Sequence, residues 1–236
     1  MDTEYVLRRA RRRLILVGLV FAVTFGPCLV VGVIVGVGRM LGLYAPAPPP
    51  RPGDRPLVAK LKSGNFMVQE AALKELQALP PDRQQRDIAE GIKVVLRTGT
   101  QELKIEALKA LAQWGQADDA AAVTPLLEGR WPGMAGEAVK TLGQLQGPVA
   151  AAALAGLLGG DQHDAAAQAL RPFGKEAEQP LLARITSEDA RVRRTVCELL
   201  GQVGSEMSLP ALRQATEDAD PGVRQAATAA LEALQK

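Results

Sequence analysis

The sequence predicts an all-α protein: a right-handed α-solenoid of about six helical hairpins, preceded by one transmembrane helix. Three observations carry this. An apolar stripe, clearest at Val192, Val196, Leu200 and Val203, has the spacing of one helix face and recurs at roughly 30-residue intervals through the C-terminal three quarters of the chain. A single apolar stripe cannot be buried by its own helix, so repeated units must stack and share a core. Aromatic residues make up only 3% of the chain, with Ala, Leu and Val abundant, which suits close helix stacking. Lastly, residues 14–38 contain no charged side chain.

Residues 1–13 form a basic head, with Arg8, Arg9, Arg11, Arg12 and Arg13 crowded before the uncharged run. At about 1.5 Å per residue that run spans a hydrocarbon core of about 30 Å, and it defines a signal-anchor segment over 14–43. The arginines in front outnumber Arg39, Arg51 and Arg55 behind, so the N-terminus is expected in the cytoplasm and the solenoid outside it. A cleaved leader is the competing reading, with Ala45, Pro46 and Ala47 as its processing site. Against it, the apolar run is too long, Pro48 follows the scissile bond, and Pro27 before Cys28 spoils a lipoprotein-type box. Gly32 and Gly36 make a Gly-x-x-x-Gly pair through which two such helices could form a homodimer, although glycine is common in membrane helices generally. Residues 44–56 are proline-rich and favour extended polyproline II, a spacer of about 35 Å at about 3.1 Å per residue.

From residue 57 to 236 the repeat can be laid out on six anchors, Leu76, Leu111, Leu142, Leu170, Leu200 and Leu231. Four positions before them stand Ala72, Ala107, Ala138, Ala166, Val196 and Ala227. Eight before stand Val68, Leu103, Met134, Gln162, Val192 and Val223, and only Gln162 breaks the apolar pattern. Three after come Leu79, Trp114, Leu145, Phe173, Val203 and Leu234. Upstream of each motif lies a second apolar helix, marked by pairs such as Leu57 and Leu61, Ile92 and Leu96, Leu126 and Leu127, or Leu182 and Ile185. Each unit is therefore a hairpin. The stripe ends at Leu234 with no obvious polar cap, so a partner or second copy is expected to cover it.

Asp189 with Val192 and Arg193, and Asp220 with Val223 and Arg224, spell Asp-x-x-Val-Arg; Asn65 with Val68 and Gln69 is a weaker echo. On these residues the chain from 57 onward resembles HEAT repeats, specifically the short HEAT-like units of the phycobilisome-lyase type. The resemblance implies that the Asp and Arg tie neighbouring repeats together. Hairpins three and four depart from it, with Arg130, Trp131, Pro132 and Gly133 in one loop and Gly159 to His163 in the other. The family is mostly a protein-binding scaffold, so function must be argued from surfaces.

Catalytic chemistry finds little material. There is one histidine, His163, expected as a solvated loop residue, and hence no imidazole cluster for a metal or for acid–base work. Cys197 follows a core position and is read as a structural thiol, and no cofactor is expected. Residues 1–51 carry seven arginines and two acids, which leaves 21 bases against 24 acids beyond. The mildly acidic solenoid has no field for nucleic acid.

The expected activity is a membrane-anchored scaffold for an unidentified protein partner, without intrinsic catalysis. An accessory lyase or chaperone-like factor of the bilin-lyase type, or a self-associating structural envelope protein, are the alternatives. Lys74, Lys109 and Lys140 share one position on successive second helices and form a candidate partner-binding row. Glu70, Glu106 and Glu137 lie one turn earlier, so ordinary surface pairing is the competing account. Trp131 stands where the signature Asp belongs, either as an exposed interface anchor or folded back over a poorly packed repeat. Arg191 and Arg194 flank the signature arginine and complete the candidate set.

Overall fold

The computed structural model describes residues 56–128, 131 and 133–235. The basic head, the 14–43 anchor with Gly32 and Gly36, and most of the spacer lie outside the described residues. Among the described residues, no helix is long and apolar enough to cross a membrane.

Among the described residues, six hairpins follow one another. Helices α1 (Pro56–Leu61) and α2 (Phe66–Gln77) form the first, and α3 (Gln85–Thr98) and α4 (Gln101–Trp114) the second. The third pairs the short α5 (Ala120–Val123) with α6 (Met134–Leu145), and the fourth pairs α7 (Gly147–Gly156) with α8 (His163–Leu170). The fifth has α9 (Glu178–Leu182) and α10 (Ala190–Val203), and the last α11 (Leu209–Ala215) and α12 (Pro221–Leu234). Short 3₁₀ segments, such as Arg171–Ala177 and Glu206–Ser208, extend the first helices.

The second helices start where a short polar side chain can cap them. Asn65 accepts from the amides of Met67 and Val68, Thr100 from Leu103, Asp189 from Arg191 and Asp220 from Val223. Pro221 suits the first turn of α12, where its missing donor is no loss. Hairpins three and four break this rule: Gly133, in the left-handed region at φ 84°, and Gln162 occupy the cap positions, and neither side chain caps.

The anchor pattern builds the core as expected, with Ala72 and Leu76, Ala107 and Leu111, Ala138 and Leu142, Ala166 and Leu170, and Val196 and Leu200 fully buried. The second helices pack on one another more closely than the first helices do, so they form the inner layer. Small residues permit this. A Cβ on Gly201 would lie 2.9 Å from the Ala230 Cα of the next hairpin, a backbone atom that cannot step aside alone. Gly201→Ala is therefore expected to destabilise by about 1 kcal/mol, overpacking outweighing the gain in helix propensity. A rise in urea midpoint would show that the seam can open freely.

Several register details differ from the sequence reading. Leu79 is exposed, because α2 ends at Gln77 and releases it. In hairpin three Ala120 and Val123 are buried while Leu126 and Leu127 are only half-buried, since the helix there is a single turn followed by a 3₁₀ segment. In hairpin five Ala177 and Leu181 take the inward places, one step off Leu182 and Ile185.

The expectation of an uncapped last hairpin is also corrected. Arg224, Thr228 and Glu232 are exposed on α12 at the positions where α10 carries Arg193, Cys197 and Gly201, so this edge is polar. At the other edge Lys60 and Glu75 form an ion pair of 3.0 Å.

Candidate functional site

The residues with chemistry in their side chains are spent largely on joining hairpins. Arg193 donates from Nη1 to the carbonyls of Ser187 and Glu188 in its own loop, at 2.8 and 2.9 Å. Its Nε and Nη2 reach forward to both carboxylate oxygens of Asp218, at 2.8 and 2.9 Å. The tie between repeats implied by the signature thus exists, but its carboxylate is Asp218. Asp189 and Asp220 instead cap their own helices. Arg224 repeats only the local half, donating to the carbonyls of Asp218 and Ala219.

His163 is buried and opens α8, where the sequence placed a solvated loop residue. A one-residue shift explains this: Gln162 turns aside and His163 takes the inward place of the eighth-before-anchor residue. Nδ1 meets the Leu158 carbonyl, which can only accept, so Nδ1 carries the proton. Nε2 then accepts from the Thr195 hydroxyl of the next hairpin at 2.9 Å. Both ring nitrogens are engaged.

Cys197 is fully buried, and burial pushes its thiol up to about 11, which keeps it protonated at neutral pH. Glu178 is buried beneath the start of the last hairpin, accepting from the Ser205 amide and hydroxyl and from the Ser208 hydroxyl at 2.6 Å. Burial pushes its carboxyl up, but the Ser208 and Ser205 hydrogen bonds outweigh it and hold it below the usual carboxylate range. Asp218 is held low as well, chiefly by Arg193.

Carboxyls depressed in the folded state add stability above their unfolded pKa, and that stability is lost as pH falls through the folded one. Urea midpoints are accordingly expected to hold from pH 7 to about 5 and to fall below about pH 4. Asp218→Asn should flatten the fall. An equally steep acid limb in that variant would remove Asp218 as a contributor.

The candidate binding residues are placed as follows. Lys74 lies 2.7 Å from Glu70, Lys109 2.8 Å from Glu106 and Lys140 3.4 Å from Glu137, each on its own helix. Hydrogen bonds donated to Glu70 and Glu106 raise the pKa of Lys74 and Lys109. Glu106 also accepts from Gln77 of the preceding hairpin at 2.9 Å. The row is a ladder of alternating charge on the inner layer. Arg191 pairs with Asp164 across hairpins at 2.8 Å, and Arg194 lies 3.9 Å from Glu198. Trp131 is 52% exposed. It walls a groove of about 490 Å³ together with Glu128, Ala135, Leu157 and Asp161. Sequence reasoning missed this groove and the roles of Glu178 and Asp218, which come from loops meeting across hairpins.

Comparison with known proteins fits the cross-hairpin ties of the last two units. Residues 177–236 match the family of HEAT repeats. No curated protein matches the chain. Among solved structures it is similar to an engineered protein, at 20% identity and a TM-score of 0.46, covering 76% of this chain and 95% of that one. It is similar to a designed armadillo repeat protein in complex with the peptide (KR)4, at 19% identity and a TM-score of 0.44, over 75% and 98% of the two chains. It is also similar to the complex of CpcE and CpcF of phycocyanin lyase from Nostoc, at 18% and 0.44, over 78% and 79%.

Proposed function

We propose that this protein is a membrane-anchored HEAT-repeat scaffold that holds a protein partner at a membrane surface and performs no catalysis of its own. The observation that carries the reading is how the reactive side chains are used. His163 is engaged at both nitrogens, the Cys197 thiol is buried and protonated, and Glu178 and Arg193 are bound across hairpins. What these ties leave open to solvent is a broad helical surface with paired charges, suited to recognition. Exposed ion pairs are weak and screened by solvent, so Lys74, Lys109 and Lys140 can exchange their glutamates for an acidic partner segment at little cost. Anchoring rests on the uncharged run over 14–38, and an extracytoplasmic solenoid rests on the arginines before it.

Protease treatment of intact cells, followed by crosslinking and mass spectrometry on the full-length chain, tests both parts. The solenoid is expected to be digested from outside the cytoplasmic membrane and to crosslink to envelope proteins. Protection until that membrane is breached would reverse the topology. Recovery of the full-length chain in the soluble fraction would remove the anchor. A full-length chain that crosslinks to nothing would end the scaffold reading.

A further inference from the structure

Arg224 repeats, one hairpin later and at the edge of the stack, the hold that Arg193 has on its own loop. Arg193 donates from Nη1 to the carbonyls of Ser187 and Glu188 at 2.8 and 2.9 Å, and Arg224 donates from Nη1 to those of Asp218 and Ala219 at the same two distances. In the register that matches Leu200 to Leu231, these are the same positions of the repeat. A guanidinium is planar, so fixing Nη1 on two carbonyls also fixes the direction of the Nε and Nη2 donors. In Arg193 those donors meet both oxygens of Asp218 across the seam. In Arg224 they face out from the last hairpin, where the side chain is exposed. The described arginines within ion-pair distance of a carboxylate are Arg191, Arg193 and Arg194, and Arg224 is not among them. The Asp218 carboxylate in its own loop is committed to Arg193 and to the Asp220 amide.

We propose that the C-terminal edge of the solenoid docks an aspartate from a turn of a partner protein, its carboxylate received by Arg224 as Asp218 is received by Arg193. Exposed pairs of loose side chains are worth little, but a guanidinium already held in place loses little freedom when the carboxylate arrives. The seam also shows how such a carboxylate is carried. Asp218 accepts from the amide of Asp220, two residues on, at 2.8 Å, in a turn that holds the acid in one orientation. A turn suits the edge better than another packed helix, because the seam backbones close over Gly201 and the same place on α12 is held by Glu232.

A second copy stacked head to tail does not supply the group. The first hairpin has Ser63 where the last has Asp218, and the Ser63 hydroxyl accepts from the Asn65 amide as Asp218 accepts from Asp220. That hydroxyl brings no charge, and Glu75, at the position of Ala230, would stand against Glu232. The aspartate therefore comes from another protein. The inference rests on the scaffold reading for its partner and adds a docking point apart from the lysine row.

The test titrates the full-length chain in detergent with the molecule's own turn, a capped Glu-Asp-Ala-Asp-Pro-Gly peptide copied from residues 217–222. Calorimetry follows binding to concentrations on the order of millimolar. A control peptide has asparagine in place of the first aspartate. The aspartate peptide is expected to bind saturably, and the asparagine peptide about tenfold more weakly. Arg224→Gln should abolish this preference, and Arg224→Lys, which keeps the charge and loses the fork, should reduce it. Hydrogen exchange in α12 checks that both variants keep the last hairpin folded, and the two peptides compare the site on the unaltered chain. Equal binding of the two peptides, no saturable response, or an undiminished preference in Arg224→Gln overturns the proposal. Crosslinking of the full-length chain separates this result from the scaffold reading. A partner lost in Arg224→Gln supports both. A partner retained in that variant overturns docking at this edge and leaves the scaffold standing, whereas Arg224-dependent peptide binding with no crosslinked partner keeps the carboxylate site and ends the scaffold reading.

Discussion

Trp114→Ala is expected to lower the unfolding free energy by about 3–5 kcal/mol, the range for truncating a buried aromatic. Trp114 closes α4 at 2% exposure, and its indole N–H donates to the Leu76 carbonyl at 2.9 Å. That carbonyl sits in the last turn of α2, where its local donor is the Leu79 amide at 3.2 Å, just past the helix end. One side chain thus fills the seam between hairpins one and two and satisfies the end of the preceding helix. Alanine leaves a cavity and removes the indole donor from that carbonyl, which keeps only its weaker local bond. Trp114→Phe keeps most of the packing and should lose about 1–2 kcal/mol. Urea unfolding followed by far-ultraviolet circular dichroism measures both, and an alanine variant within 1 kcal/mol of wild type would mean that the indole is not holding this seam.

Arg193→Ala is the second large effect, expected at about 3 kcal/mol. The pair is mostly covered, with Arg193 and Asp218 side chains 16% and 14% exposed, and its loss leaves the Asp218 carboxylate with only the Asp220 amide and takes the donor from two carbonyls. In a solenoid, stability is close to a sum over neighbouring units, so the damage should be local to the last hairpin. Hydrogen exchange in α11 and α12 is expected to speed up while α2 and α4 stay protected. A double-mutant cycle with Asp218→Ala should show coupling above about 1 kcal/mol. Additive losses would mean that the contacts to Ser187 and Glu188 carry the effect alone.

Much of the fold was legible because the anchors are local. Leu76, Leu111, Leu142, Leu170 and Leu200 each sit in a four-residue rhythm that any one helix displays, and all are fully buried. What the pattern does not encode is where one hairpin meets the next. His163 looks like loop because Gln162 occupies the expected apolar place, and only the slipped start of α8 brings the imidazole to Thr195, 32 residues away. Asp218 lies two residues before the signature Asp220, outside the motif that announces it. Glu178 shows no signal at all beside its serines at 205 and 208, since their proximity is a property of the stack. The lysine row was visible by spacing, and so were its glutamates; the groove at Trp131 needed the loop of hairpin four.

The two edges differ from the seams in a way that bears on how such a chain can change length. A copy of hairpin five inserted after itself would set Gly201 against Leu199, where it now meets Ala230, and Arg193 against Ser187, where it now meets Asp218. A copy of hairpin six added beyond α12 would have to crowd its backbone against Glu232 and bury that carboxylate unpaired. The hairpins are therefore not interchangeable: each seam is fitted to its own pair of units, and a change of length at either place would need matched substitutions on both sides of the new seam.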